Sequence, residues 1–126
     1  MSDRATILAV HPVIPVRDVK ASMDFYAKLG FEVSFVDTSS PTLMYVGIER
    51  DGVEIHLQWQ ADDHFRGEGN GNSYRFFVDN VDALYHKFAA QSVLSDRGKL
   101  RDTPWLTREF ALFDLDGNVL TFYRDL

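Results

Sequence analysis

The chain has 126 residues, 45% hydrophobic and 25% charged, a size and balance that suit one globular domain able to bury roughly two-thirds of its unfolded surface. Nineteen acidic against 13 basic side chains leave a net charge of -6, which disfavours nucleic acid and anionic membrane surfaces and favours cationic partners. The lack of cysteine excludes disulfides, thiolate catalysis and zinc-sulfur sites. With neither a membrane-spanning apolar run nor a basic-then-apolar leader in the sequence, a cytoplasmic location is expected.

In chain order, residues 7–17 (ILAVHPVIPVR) are apolar and β-branched, and two prolines suit an edge strand or an arm exchanged between chains. Asp18 reads as a helix N-cap, with Val19, Met23, Phe25, Tyr26 and Leu29 at helical spacing and Gly30 as the stop. Residues 31–37, 42–49 and 53–59 then read as strands, the last two joined by a tight turn at Arg50-Asp51-Gly52. Residues 61–72, with three glycines, read as a linker. Beyond it come a strand at SYRFFVD, an Asn80-capped helix to about Gln91, a weak strand near 92–96, and the strands TREFALF and NVLTFYR around Asp116-Gly117.

The second half echoes the first. Offsets of 62 residues (Asp18 to Asn80) and 65 residues (Asp51 to Asp116) place one βαβββ unit at about 7–59 and again at about 72–124. The expected fold is α+β, two such modules forming a curved mixed sheet around a concave cavity. Strand alternation assigns Val53, Ile55, Leu57, Trp59, Tyr74, Phe76, Val78, Leu120 and Phe122 to the helix-packing face. The opposite face then carries Glu54, His56, Gln58, Ser73, Arg75, Phe77 and Thr121, and Glu109 shares it by alternation with Phe110 and Leu112. Corresponding positions pair His11 with Ser73 and His56 with Thr121.

The opening HPVIPVRDVKASMDFYAKLGF and the closing PWLTREFALFDLDGNVLTF resemble the vicinal oxygen chelate superfamily of glyoxalases, extradiol dioxygenases and fosfomycin and bleomycin resistance proteins. The stretch PWLTREFALFDLDGN is most similar to the bleomycin-binding branch. That resemblance implies an acidic homodimer that sequesters a cationic, partly aromatic small molecule in cavities between subunits, without catalysis, cofactor or metal. It also implies a stacking role for Trp105 and a groove-lining role for Phe35 and Asp37, although Phe35 reads equally as core. Arg75 and Phe77 stand where that branch often carries tryptophan, and Glu109 is placed to offset Arg75.

In the metal-dependent members the resemblance puts ligands at the four corners that here read His11, His56, Ser73 and Thr121. Two imidazoles and two neutral hydroxyls are fewer donors than a catalytic divalent metal takes from its protein. The expected site residues are therefore ligand-binding rather than catalytic or metal-binding: His11, Phe35, Asp37, Glu54, His56, Ser73, Arg75, Phe77, Trp105, Glu109 and Thr121. Glu54 reads as a base, a counter-charge or a solvated group. The alternative function is a metal-dependent lyase, isomerase or transferase using His11 and His56.

Overall fold

A computed structural model of the protein describes residues 3–65 and 71–126. The first half runs β1 (Val13–Val16), α1 (Val19–Lys28), β2 (Glu32–Val36), β3 (Tyr45–Arg50) and β4 (Val53–Trp59). A single 3₁₀ turn at Asp62–Phe65 follows, within the expected linker, of which residues 66–70 lie outside the described residues. The second half repeats the order as β5 (Ser73–Phe77), α2 (Val81–Ala90), β6 (Arg101–Asp102), β7 (Thr107–Phe113) and β8 (Val119–Asp125). The strands form two four-stranded mixed sheets, ordered β1-β4-β3-β2 and β5-β8-β7-β6. In each, the first strand of the half is an edge and pairs in parallel with the last. The expected α+β architecture of two βαβββ modules is the one observed.

Both helices begin as their caps dictate. The Asp18 carboxylate accepts from the Ala21 amide at 3.0 Å and the Asn80 side-chain oxygen from the Ala83 amide at 3.1 Å, satisfying donors that have no partner inside the helix. The apolar stripes of the helices and the alternating residues of the sheets meet in one core that includes Ile14, Tyr26, Leu29, Ile55, Leu57, Phe88, Phe110, Leu120 and Phe122. Ring contacts continue it across the halves, as where Phe31 meets Phe76 at 6.4 Å.

The two hairpin turns, similar in sequence, differ in form. Asp51 and Gly52 both take positive φ (52° and 79°), which makes the two-residue primed turn that fits strand twist. The second turn spans Asp114 to Asn118, because β7 and β8 part at Phe113 and Val119. Its buried side chains reach into the first half. Asp114 accepts from the Tyr26 hydroxyl at 2.8 Å, Asp116 accepts from the Arg17 amide at 3.1 Å, and the Asn118 amide group donates to the Pro15 carbonyl at 3.0 Å. Burial raises the pKa of Asp114, opposed by hydrogen bonds from Asn118 and Tyr26.

Three expectations are corrected. Trp59, assigned to the core by alternation, is 40% exposed at the end of β4. The strand expected near 92–96 is absent there; Ser92 takes φ 57° just past α2, and the short β6 forms later, at Arg101–Asp102. Of residues 7–17, expected as an edge strand or an exchanged arm, only Val13–Val16 form a strand, which is an edge, and Ile7 and Leu8 are each 91% exposed.

Replacing Tyr26 with Phe removes the hydroxyl that a buried carboxylate accepts from. The Tyr26→Phe protein should lose roughly 1–3 kcal/mol in urea unfolding, the cost of leaving a buried polar group short of a partner.

Candidate functional site

The face of the first sheet turned away from the helices carries one cluster. The parallel pairing of β1 with β4 sets Val13 beside His56, and the Pro12 carbonyl accepts from the His56 amide at 2.9 Å, so His11 is delivered to the same place. The His11 and His56 rings stack with centroids 5.0 Å apart. His56 lies between two partners, Tyr45 Oη at 2.7 Å from Nδ1 and Glu54 Oε2 at 3.0 Å from Nε2. Hydrogen bonds from Ser34 and His56, with the nearby imidazoles, hold the Glu54 carboxyl below its usual range; burial and the Glu54 charge raise the Tyr45 hydroxyl.

Phe35 joins this cluster instead of the core, its ring edge-on to His56 at 5.2 Å and stacked on Tyr45 at 6.2 Å. A β-bulge is the cause. Val33 pairs with Ile48 and Phe35 with Gly47, so the intervening Ser34 is the extra residue. A Cβ on Gly47 would overlap both the Phe35 ring and the Ser34 hydroxyl. Asp37 sits apart, beyond β2, where its carboxylate accepts from the Ser39 amide at 2.9 Å, and that bond lowers its pKa.

The corresponding face of the second sheet carries the other cluster, centred on Glu109. This buried carboxylate accepts from the Trp105 indole at 2.9 Å, from the Thr107 hydroxyl at 2.7 Å and from Arg75 at 3.3 Å. Burial raises its pKa, but the bonds from Thr107, Arg75 and Trp105 outweigh burial and leave it lowered overall. Arg75 also lies over the Tyr123 ring, 4.3 Å from its centroid, so its charge is compensated on two sides. Trp105 is 56% exposed and Phe77 67%, the latter beside Tyr123. Thr121 is buried between its cross-strand partners Arg75 and Ala111, and Ser73 is exposed at the start of β5.

The sequence-derived residues thus form two walls. His11, Phe35, Glu54 and His56 make one and Arg75, Phe77, Trp105 and Glu109 the other; among the described residues no hydrogen bond or ring contact joins them. Ser73 and Thr121, the two second-half corners, offer only neutral hydroxyls, which are weak donors for a divalent metal. Tyr45, Ser34 and Tyr123 were not singled out by sequence. Tyr45 shares the alternation of β3 with Gly47, and Ser34 that of β2 with Glu32, so both had a usable signal, whereas Phe35 is turned to this face only by the bulge.

The model of the Glyoxalase/Bleomycin resistance protein/Dioxygenase superfamily matches residues 8–122. The chain belongs to that superfamily. Within it, the chain is 29% identical over 130 aligned positions to a bleomycin resistance protein of Geobacillus stearothermophilus, covering 91% of this chain and 95% of that one, and equally to one of Staphylococcus aureus. Among solved structures, the bleomycin-binding protein of Streptomyces verticillus complexed with copper(II)-bleomycin is 26% identical, with a TM-score of 0.75 over 94% of this chain and 97% of that one. A bleomycin-binding protein complexed with bleomycin superposes with a TM-score of 0.77 at 19% identity, covering 94% and 98%. The fold is that of these superfamily members.

Two predictions follow from the walls. Because its folded pKa lies below the ordinary 4.5, Glu109 contributes stability that is present above about pH 4.5 and lost as pH falls through the folded value. The urea midpoint of the protein relative to Glu109→Gln should therefore shrink toward zero on acidification below that point. Gly47→Ala should displace Phe35 and lower the melting temperature by several degrees, the overpacking costing about 1–3 kcal/mol.

Proposed function

We propose that this protein is a cytoplasmic, non-enzymatic binder that sequesters a cationic, partly aromatic small molecule of the bleomycin type in cavities completed between two copies of the chain. The observation that carries the reading is that each chain presents two half-sites on separate sheets. Each is built of fixed polar groups beside exposed rings: Phe35 at 40%, Phe77 at 67% and Trp105 at 56% exposure. Exposed rings of this size on a face that already holds its carboxylates in place offer stacking and charge complementarity to a planar cation. Arg75 does not oppose such a ligand, since Glu109 and Tyr123 compensate it. The overall charge of -6 draws cations toward the protein.

Two copies are required because one wall alone encloses no ligand. The apolar residues Ile7, Leu8 and Val10, all at least 86% exposed, supply an arm suited to pack on a partner's sheet edge. Names carried by relatives agree: proteins 26–29% identical over nearly the whole chain are called bleomycin resistance or bleomycin-binding proteins.

Isothermal titration with metal-free bleomycin should give saturable binding with a Kd in the micromolar range or tighter, weakened roughly tenfold or more by Trp105→Ala. No heat at tens of micromolar would remove this ligand. Sedimentation should report twice the 14.4 kDa chain mass, and deletion of residues 1–10 should shift it toward the monomer.

A further inference from the structure

We propose that Arg101 makes the second wall a seat for a planar group bearing a negative substituent, such as an aromatic carboxylate, so that the molecule held on this face is dipolar rather than simply cationic. The inference deepens the reading of this face as a ligand face and concerns only the wall that holds Trp105. Strand register puts Arg101 there. It lies directly opposite Glu109 across β6 and β7, Glu109 opposite Tyr123, and Tyr123 opposite Phe77, so one row of four side chains crosses the second sheet on a single face.

The two guanidinium groups of this wall are in different states. Arg75 is held by the Glu109 carboxylate at 3.3 and 3.4 Å and lies over the Tyr123 ring. Glu109 has little acceptor capacity left, since Oε1 takes three donors and Oε2 one. Arg101 is exposed, and among the described residues it makes no hydrogen bond or ion pair; its Cζ stands 5.3 Å from the centroid of the Trp105 ring. Asp125, which shares the face at the end of β8, pairs with neither arginine among the described residues. The charge that the row leaves uncompensated is therefore positive.

A cation already on a ring changes what else that ring takes. Trp105 is 56% exposed, and the attraction of its ring for positive charge already serves Arg101. A planar group stacked on the open part of the indole has this guanidinium close by, within the roughly 8–10 Å over which salt leaves charges incompletely screened. A positive substituent there is repelled, whereas a carboxylate meets unbonded N–H donors in the fork geometry that suits it. The loop is built to hold the pairing. The Thr103 amide donates to the Thr107 carbonyl at 2.8 Å, their hydroxyls meet at 2.8 Å, and Leu106 takes φ 66°, a strained backbone for leucine. The positive part of the molecule is thereby directed to the first wall, where Glu54 lies beside the imidazoles.

Two probes of similar shape and opposite charge test this, 2-naphthoate and 2-naphthylmethylammonium, each titrated into 15N-labelled protein while the Trp105 indole N–H resonance is followed. The chain has two tryptophans, so Trp59→Phe identifies that resonance. Naphthoate should shift it with a Kd of about 1 mM or tighter, and at least about threefold tighter than the ammonium probe. This order opposes the net charge of -6, which by itself favours the cation, and so isolates the local guanidinium. Arg101→Gln should abolish or reverse the order, Arg101→Lys should keep part of it, and Arg124→Gln, which removes a charge from the other face of β8, should leave it unchanged. Neither probe contains any part of the antibiotic, so failure of the bleomycin titration and failure here are separate results. No shift with naphthoate at several millimolar, equal or tighter binding of the ammonium probe, or a naphthoate preference that survives Arg101→Gln would overturn the proposal.

Discussion

The polar lock between the Asp114–Asn118 turn and the start of the first half is the constraint on which the rest of the structure depends. Asp114, Asp116 and Asn118 are buried, and they bind Tyr26, Arg17, Ser22 and the Pro15 carbonyl across sequence separations of 88 to 103 residues. Desolvated carboxylates are tolerable only when their oxygens are met by donors, so this turn has one low-energy seat. That seat joins the second hairpin to β1 and α1. The two halves are therefore held through the helix side of their sheets, with Tyr26 both a core ring and a polar tether.

Holding the halves by one side leaves the other faces of both sheets uncommitted. On the first, the parallel pairing of β1 with β4 fixes where His11 meets His56, and the bulge in β2 adds Phe35 beside Ser34 over a residue that has to be glycine. On the second, Glu109 gathers three donors and thereby orients Trp105 and neutralises Arg75. Each wall is pre-organised before any ligand arrives, which lowers the ordering cost of binding. The same construction explains why large rings stay exposed: their polar neighbours are already satisfied, and the surface that would cover the rings is not supplied by the same wall.

Much of this was legible in the sequence. Helix limits followed from Asp18 and Asn80 as caps, the bounds of β4 and β7 matched the runs VEIHLQW and TREFALF, and alternation separated Ile55 and Leu57 from Glu54 and His56. These are local properties, decided by capping chemistry and by the two-residue period of a strand. Where alternation failed, a non-local cause was at work. Trp59 kept the parity of the core but stands exposed at the end of β4, and Phe35 was moved to the ligand face by an inserted residue that no periodicity announces.

By itself, then, the sequence determined the doubled unit, its two helices, the sheet faces and the presence of only two imidazoles at the corresponding corners. Tertiary structure alone decided that Glu54 stands between those imidazoles, that Glu109, expected to offset Arg75, also holds Trp105, and that the second turn fastens the halves together. The reason is one of distance along the chain. Caps and strand faces are set by neighbours within four residues, whereas strand register, the bulge and the buried carboxylate contacts depend on groups tens of residues apart, whose meeting only the packed core specifies.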